Sequence, residues 1–291
     1  MKFWQMLTWM EPEQILEVAR FAEAVGFEGV MLGDHGVFPR EVHSTYPYSA
    51  DGKPPMAPDS WYPDCWATLG AISAVTTRLR FAVAVYVLPL RNVFEVARAT
   101  GTLAILSSNR FILGAGTGWM KDEFDIYGVD FHTRGKRLDE MLEVLPKLWA
   151  GGMVEHHGAL IDFPPLQISP APDRTVPIFT GGTAPVALRR AATKAQGWIG
   201  AGNTPEEVPE LLTEFRRLRR EAGREQLPFE TVIGLSAPPD LASFQRLDEL
   251  GMTGGVSYPF TFTAGKRSTL DDKKRVMEDF AQRFIRPMRA S

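Results

Sequence analysis

The feature of this chain that most narrows its folding options is an alternation, repeated eight times, of short apolar runs with helix-periodic segments. The runs lie at Phe3–Thr8, Gly29–Leu32, Leu79–Leu88, Phe111–Ala115, Val176–Thr180, Trp198–Gly200, Glu230–Leu235 and Gly255–Tyr258. Runs such as GVML and FILGA are apolar at successive positions, as strands covered on both faces of a parallel sheet must be. Between the runs fall helical patterns. Ile15, Val18, Ala19, Ala22 and Val25 follow Pro12 and stop at Gly26; Pro63–Thr76 comes next, then a helix capped by Asn92 and running through Leu106. Arg134–Trp149 carries Leu138, Met141, Leu142, Leu145 and Leu148 on one stripe, and Ala184–Lys194, Pro205–Ala222, Leu241–Leu250 and Leu270–Met288 complete the series. EAVGFEGVML near residue 24 and DELGMTGGVSY near residue 248 echo each other as helix end, glycine stop, apolar plug and short strand. A doubly wound sheet usually stops at five or six strands. Eight βα units therefore predict an α/β fold of the (β/α)8 TIM-barrel type, one domain over residues 1–291.

In such barrels the chemistry sits in the loops after the strands. The longest of these, residues 33–62, holds Pro39, Pro47, Pro54, Pro55 and Pro58 together with Tyr46, Tyr48, Trp61 and Tyr62, too many aromatics for plain disorder, so it reads as a lid or a substrate wall. Residues 151–173 break the rhythm with Gly and Pro and suggest an excursion with a small β element around Leu160–Ile168.

Several function classes fall away. With 32 basic and 35 acidic residues the net charge is −3, which offers no broad cationic surface to nucleic acid or an anionic membrane. The basic run Arg216-Arg217-Leu218-Arg219-Arg220 is flanked by Glu214 and Glu221 and reads as a solvated helix face. The lone Cys65 cannot form an intrachain disulfide, His156-His157 is a poor chelate, and no GxSxG elbow occurs, so neither metal nor serine hydrolase chemistry is expected. The N-terminus lacks the pattern of a signal peptide and no run of about 18 uncharged apolar residues occurs, so the expected location is the cytoplasm.

Three segments could carry chemistry. Asp34-His35 directly follows the second strand, where His35 could exchange a proton near neutral pH; position alone leaves equally open that Asp34 caps a turn and His35 satisfies a carbonyl. Gly114-Ala115-Gly116-Thr117-Gly118 ends the fourth strand, either to admit a flat ring or to form a tight turn at positive φ. Thr180-Gly181-Gly182-Thr183 ends the fifth strand at a helix start, where free amides bind phosphate, unless Thr183 merely serves as N-cap.

The segments GFEGVMLGDH (26–35), LRFAVAVYVLPLRNVFEVARATGTLAILSSNRFILGAGTGWMKDEFDIYGVDFHTRGKRLDEMLEVLPKLW (79–149) and VPIFTGGTAPVALRRAATKAQGWI (176–199) resemble the bacterial luciferase-like monooxygenase superfamily. YPYSADGKPPMAPDSWYPD (46–64) further resembles an actinobacterial branch of oxidoreductases that use the deazaflavin coenzyme F420. The resemblance implies a barrel, commonly a homodimer, holding F420 or FMN at its C-terminal mouth and acting on a small organic substrate. F420 would bring hydride transfer, FMN monooxygenation with O2, and a flavin binder without turnover is a third reading. Carried over by motif, His35 would be catalytic. Asp34, Tyr86, Val87, Gly116, Thr117, Gly118, Thr180, Gly181, Gly182, Thr183 and Trp198 would contact the cofactor. The resemblance also implies a non-proline cis peptide bond between Tyr86 and Val87. One departure stands out: related glucose 6-phosphate dehydrogenases carry a catalytic Glu after the GTG turn, where this chain has Trp119.

Overall fold

The computed structural model describes residues 1–49 and 51–290; Ala50, inside the segment that resembles the F420 branch, and Ser291 lie outside the described residues. The first half of the chain holds β1 (Lys2–Met6), α1 (Ile15–Val25), β2 (Gly29–Leu32), α2 (Cys65–Val75), β3 (Arg80–Val83), β4 (Tyr86–Val87), α3 (Val93–Leu106), β5 (Phe111–Gly116), α4 (Lys121–Ile126) and α5 (Arg134–Trp149). A hairpin of β6 (Val154–His157) and β7 (Asp162–Leu166) follows. Then come β8 (Ile178–Gly181), α6 (Pro185–Lys194), β9 (Gly197–Asn203), α7 (Val208–Glu221), β10 (Glu230–Leu235), α8 (Leu241–Glu249), β11 (Gly254–Ser257), α9 (Phe260–Thr263), α10 (Leu270–Phe280) and α11 (Arg286–Ala290), with a π-helical turn at Ala281–Ile285.

The parallel strands run β3-β2-β1-β11-β10-β9-β8-β5, and β3 pairs back onto β5 to close the barrel. Helix stops are those the residues require: Gly26 and Gly251 take φ of 98° and 101°, and the buried plugs Phe27 and Met252 follow them, so the echoed segments adopt one geometry. The Asn92 side chain accepts from the backbone of Phe94 and Glu95, as an N-cap should.

Two apolar layers hold the barrel. Phe3, Leu69, Phe81, Phe111, Leu145 and their neighbours fill the space between sheet and helices, while Trp4, Met31, Ala82, Ile112, Phe179, Ile199 and Val232 fill the interior. Burying each such large side chain contributes about 1.5–3 kcal/mol. The bottom is sealed by Arg80, whose guanidinium lies over the Trp4 ring and bonds Glu230 at 2.8 and 2.9 Å and Glu28 at 3.1 Å. This cluster caps the N-terminal end of the barrel, opposite the strand ends that carry the candidate residues.

Three local expectations change. The third strand, expected unbroken over Leu79–Leu88, is split into β3 and β4. The polar stretch after β5 contains the helix α4. Thr183 is not an N-cap: α6 starts at Pro185 with Ala184 before it and no side-chain cap.

Candidate functional site

The floor of the mouth is set by a register slip. Ala82 pairs with Ile112 and Tyr86 with Ala115, so four residues on one strand oppose three on the other and one extra residue must be absorbed between β3 and β4. The chain leaves the ladder at Ala84-Val85, and there the non-proline cis peptide bond is found, not at Tyr86–Val87 as expected. The shift also changes which side chain faces inward. Val85 joins the inner layer, partly open to the mouth, whereas Tyr86 belongs to the outer core, its hydroxyl accepting from Trp66 Nε1 at 3.1 Å. Burial pushes the Tyr86 phenol up to about 12. Val87 is likewise buried, among Leu90 and Phe124.

The glycines expected at the ring site make room for Val85. A Cβ on Gly116 would lie 2.3 Å from Val85 Cγ2, and one on Gly181 would lie 3.1 Å from Val85 Cγ1. Gly118 takes φ 77°, the tight-turn alternative, whereas the space that Gly116 leaves is filled by the Val85 side chain.

Asp34 fastens the loop after β2 to this bulge. Its carboxylate accepts from the Val87 backbone at 2.9 Å and from Arg91 Nη2 at 3.0 Å on both oxygens. Burial lifts its carboxyl above the ordinary range, opposed by the Arg91 guanidinium and the Val87 N–H. Arg91 itself stacks over the rings of Tyr86 and Tyr127.

His35 has a partner 88 positions away. Its Nδ1 lies 3.0 Å from Oε2 of Glu123, in the first turn of α4, and Glu123 Oε1 accepts from the Gly36 backbone at 2.7 Å. The neighbouring Asp122 accepts from the backbones of His43 and Ser44 and from the Ser44 hydroxyl. Two consecutive carboxylates thus pin the long loop at Gly36 and at His43-Ser44. Tyr62, Trp119 and Phe38 ring the imidazole edge-on at centroid distances of 5.1, 5.9 and 6.4 Å, and Tyr46 packs on Trp119 at 5.0 Å. Burial raises the Tyr46 phenol to about 12. Trp119 thus packs beside the imidazole, and the carboxylate that meets it is that of Glu123. Sequence reading missed Glu123; the signal was available in KDEF, a short helical turn with acidic residues at its start.

The second turn is also built for close approach. Gly182 takes φ 102° and the helix that follows offers an uncapped N-terminus. Thr180 is fully buried, while Thr183 is exposed beside a cavity of about 640 Å3 between Tyr48, Asn203 and the start of α7. Trp198, expected against the cofactor, is instead fully buried against Phe215 behind the turn and donates from Nε1 to Gly182 O at 3.0 Å, so it positions the turn from outside the barrel.

The remaining candidates have local partners. His156 bonds Glu140, His157 bonds Asp162, Arg217 sits between Glu214 and Glu221, and the buried Cys65 thiol is pushed up by burial. Among the described residues, no group of three His, Cys, Asp or Glu is placed to hold a metal, and no helix is long and apolar enough to cross a membrane.

Comparison with known proteins gives the family and the fold. The luciferase-like monooxygenase family profile matches residues 2–240. An uncharacterized protein of Mycobacterium tuberculosis is 38% identical over 93% of this chain and 94% of its own length. An F420-dependent glucose-6-phosphate dehydrogenase of Microbacterium testaceum is 30% identical over 70% of this chain and 56% of the relative. Among solved structures, a monooxygenase of Streptomyces bottropensis superposes with TM-score 0.79 at 18% identity, covering 99% of this chain and 100% of that one. The coenzyme F420 dependent tetrahydromethanopterin reductase of Methanopyrus kandleri gives 0.75 at 16%, covering 98% of each. At those identities the likeness is one of fold.

Proposed function

This chain belongs to the luciferase-like monooxygenase family, and we propose that it is an oxidoreductase that uses coenzyme F420 to move hydride to or from a small organic substrate. The observation that carries the reading is the His35–Glu123 pair at the same C-terminal end of the barrel as the floor of Val85, Gly116 and Gly181. The site fits a flat ring with a phosphate arm. Side chains at Gly116 or Gly181 would crowd Val85 at that floor, and the left-handed Gly182 and the uncapped start of α6 offer backbone amides to an anion. His35, Gly116–Gly118 and Gly181–Thr183 are the residues we assign to it, with Asp34, Tyr86, Val87, Thr180 and Trp198 shaping them from behind.

A deazaflavin bound there supplies a two-electron hydride carrier. The protein supplies the proton path. Glu123 keeps a proton on His35 Nδ1, which leaves Nε2 to take a hydroxyl proton from the substrate as hydride leaves its carbon, or to return one in the reverse direction. The walls of Tyr62, Trp119 and Tyr46 keep water from that exchange. FMN-dependent monooxygenation is the second reading, favoured by the family's own activity. A single barrel domain over 1–291, a homodimer and a cytoplasmic location complete the proposal.

The test is titration of the protein with F420 and with FMN separately, followed by cofactor fluorescence. Saturable F420 binding with hydride transfer to an acceptor supports the first reading. FMN preference with oxygen consumption supports the second, and tight binding with no electron transfer to any acceptor would leave only a flavin binder.

A further inference from the structure

A second recess opens at the same mouth and is used by nothing above. It lies where the loops after β11, β1 and β2, three adjacent strands, meet, and it is lined by Trp9, Pro55, Asp59, Ser60, Trp61, Thr261, Lys266 and Arg267. Lys266 and Arg267 have no ion-pair or hydrogen-bond partner among the described residues. The recess joins the His35 site through a continuous aromatic wall, since Trp9 packs edge-on against Tyr62 at 6.4 Å and Tyr62 against His35 at 5.1 Å.

Its walls are held in place. Lys273 of α10, fully buried, bonds Glu11 at 2.6 Å, Gln14 at 2.9 Å and the Ser268 carbonyl at 2.6 Å, which ties the segment beside Trp9 to the residue after Arg267. Four residues other than glycine have positive φ among the described ones. Ser108 and Asn109 end a helix together, and the other two, Trp9 at 65° and Arg267 at 54°, both face this recess. Left-handed backbone at bulky residues persists only where packing imposes it, and it marks sites where a side chain must be aimed.

We infer that this recess is the anion subsite for the substrate, seating a carboxylate on Lys266 and Arg267 between Trp9 and Trp61. The inference rests on the proposed function in placing the reacting carbon at His35. Size and charge select the group. A volume of about 70 Å3 is well below the roughly 150 Å3 that encloses benzene, so the recess takes an end group and leaves a ring or chain along the aromatic wall. Two cations with Asp59 beside them leave one net positive charge, which matches a carboxylate better than a doubly charged phosphate. The substrate class is therefore a carboxylate whose oxidisable or reducible carbon lies about two ring contacts away.

The experiment uses the full chain and tryptophan fluorescence, because Trp9 and Trp61 flank the recess. Phenylacetate, phenylacetamide and phenyl phosphate are titrated against the protein and its Lys266→Gln/Arg267→Gln double variant, both positions being exposed. The expected result is saturable binding of phenylacetate, at least about ten-fold weaker binding of the amide, a Kd for phenylacetate that rises with salt, and equal binding of the two by the variant. An amide that binds as tightly, a variant that keeps the preference, or no response to any probe overturns the subsite; tighter phenyl phosphate overturns the choice of carboxylate. Titration of the same preparation with F420 and FMN separates the two claims. Cofactor binding without anion preference sinks the subsite alone, and anion preference without cofactor binding sinks the cofactor reading alone.

Discussion

His35 Nδ1 lies 3.0 Å from Glu123 Oε2, with the two side chains only 8% and 2% exposed. A carboxylate can only accept, so contact between a buried imidazole and a buried carboxylate places the proton on Nδ1 and leaves Nε2 as the acceptor. Glu123→Gln keeps an acceptor for the Gly36 N–H but can turn its amide NH2 toward the imidazole and so no longer fixes the tautomer. We expect a kcat lower by about 10²-fold, a similar loss for His35→Ala, and strongly non-additive losses in the double variant. Additive losses in a double-mutant cycle would show that the pair does not work as a unit.

Asp34 and Arg91 are expected to be a stability pair first. Asp34→Ala strands a guanidinium beside Tyr86 and frees the Val87 N–H, so the unfolding free energy should fall by about 3 kcal/mol, read as a lower urea midpoint at unchanged m-value. A loss below about 1 kcal/mol, or cofactor binding lost at full stability, would assign Asp34 to the ligand instead.

The turn after β8 gives a cleaner separation of fold and binding. Gly182→Val places a branched side chain at φ 102° and 3.0 Å from Ala187 Cβ, costing about 1–3 kcal/mol. Its larger effect should be on cofactor affinity, weakened at least about ten-fold in the fluorescence titration. Unchanged affinity in a folded variant would move the phosphate elsewhere.

Acid sensitivity should trace partly to Glu23, at the end of α1. Partial burial works to raise its carboxyl, but the backbone N–H groups of Arg78, Leu79 and Thr77 outweigh burial and hold it below the ordinary 4.5. A carboxyl lowered on folding stabilises above its unfolded value and loses that contribution as pH falls through the folded value. Glu23→Gln should therefore cost about 1 kcal/mol at neutral pH, solvent screening included, and should flatten the stability curve between about pH 5 and 3. Parallel curves for the two proteins would count against this.

What the sequence by itself determined is the order and kind of the elements, because their causes are local. A 3.6-residue stripe such as Leu138 to Leu148 makes one helix face, Gly26 and Gly251 stop helices because only glycine takes that φ freely, and Asn92 caps because its oxygen reaches amides two and three residues on. Eight repeats of that pattern dictated a closed barrel, and closure put residues at strand ends, His35 among them, at one mouth. What only the tertiary structure decided concerns partners distant in sequence. The bulge at Ala84-Val85 follows from the register of β3 and β4 against β5, which turned Val85 inward and Tyr86 outward although the run LRFAVAVYVL is apolar throughout. Trp198 could be placed behind the turn only once β9 lay beside β8. Glu123 met His35, and Lys266 and Trp61 came to line one recess, because parallel closure brings loops distant in the chain to one rim, and no periodicity in the sequence records which side chains will then be neighbours.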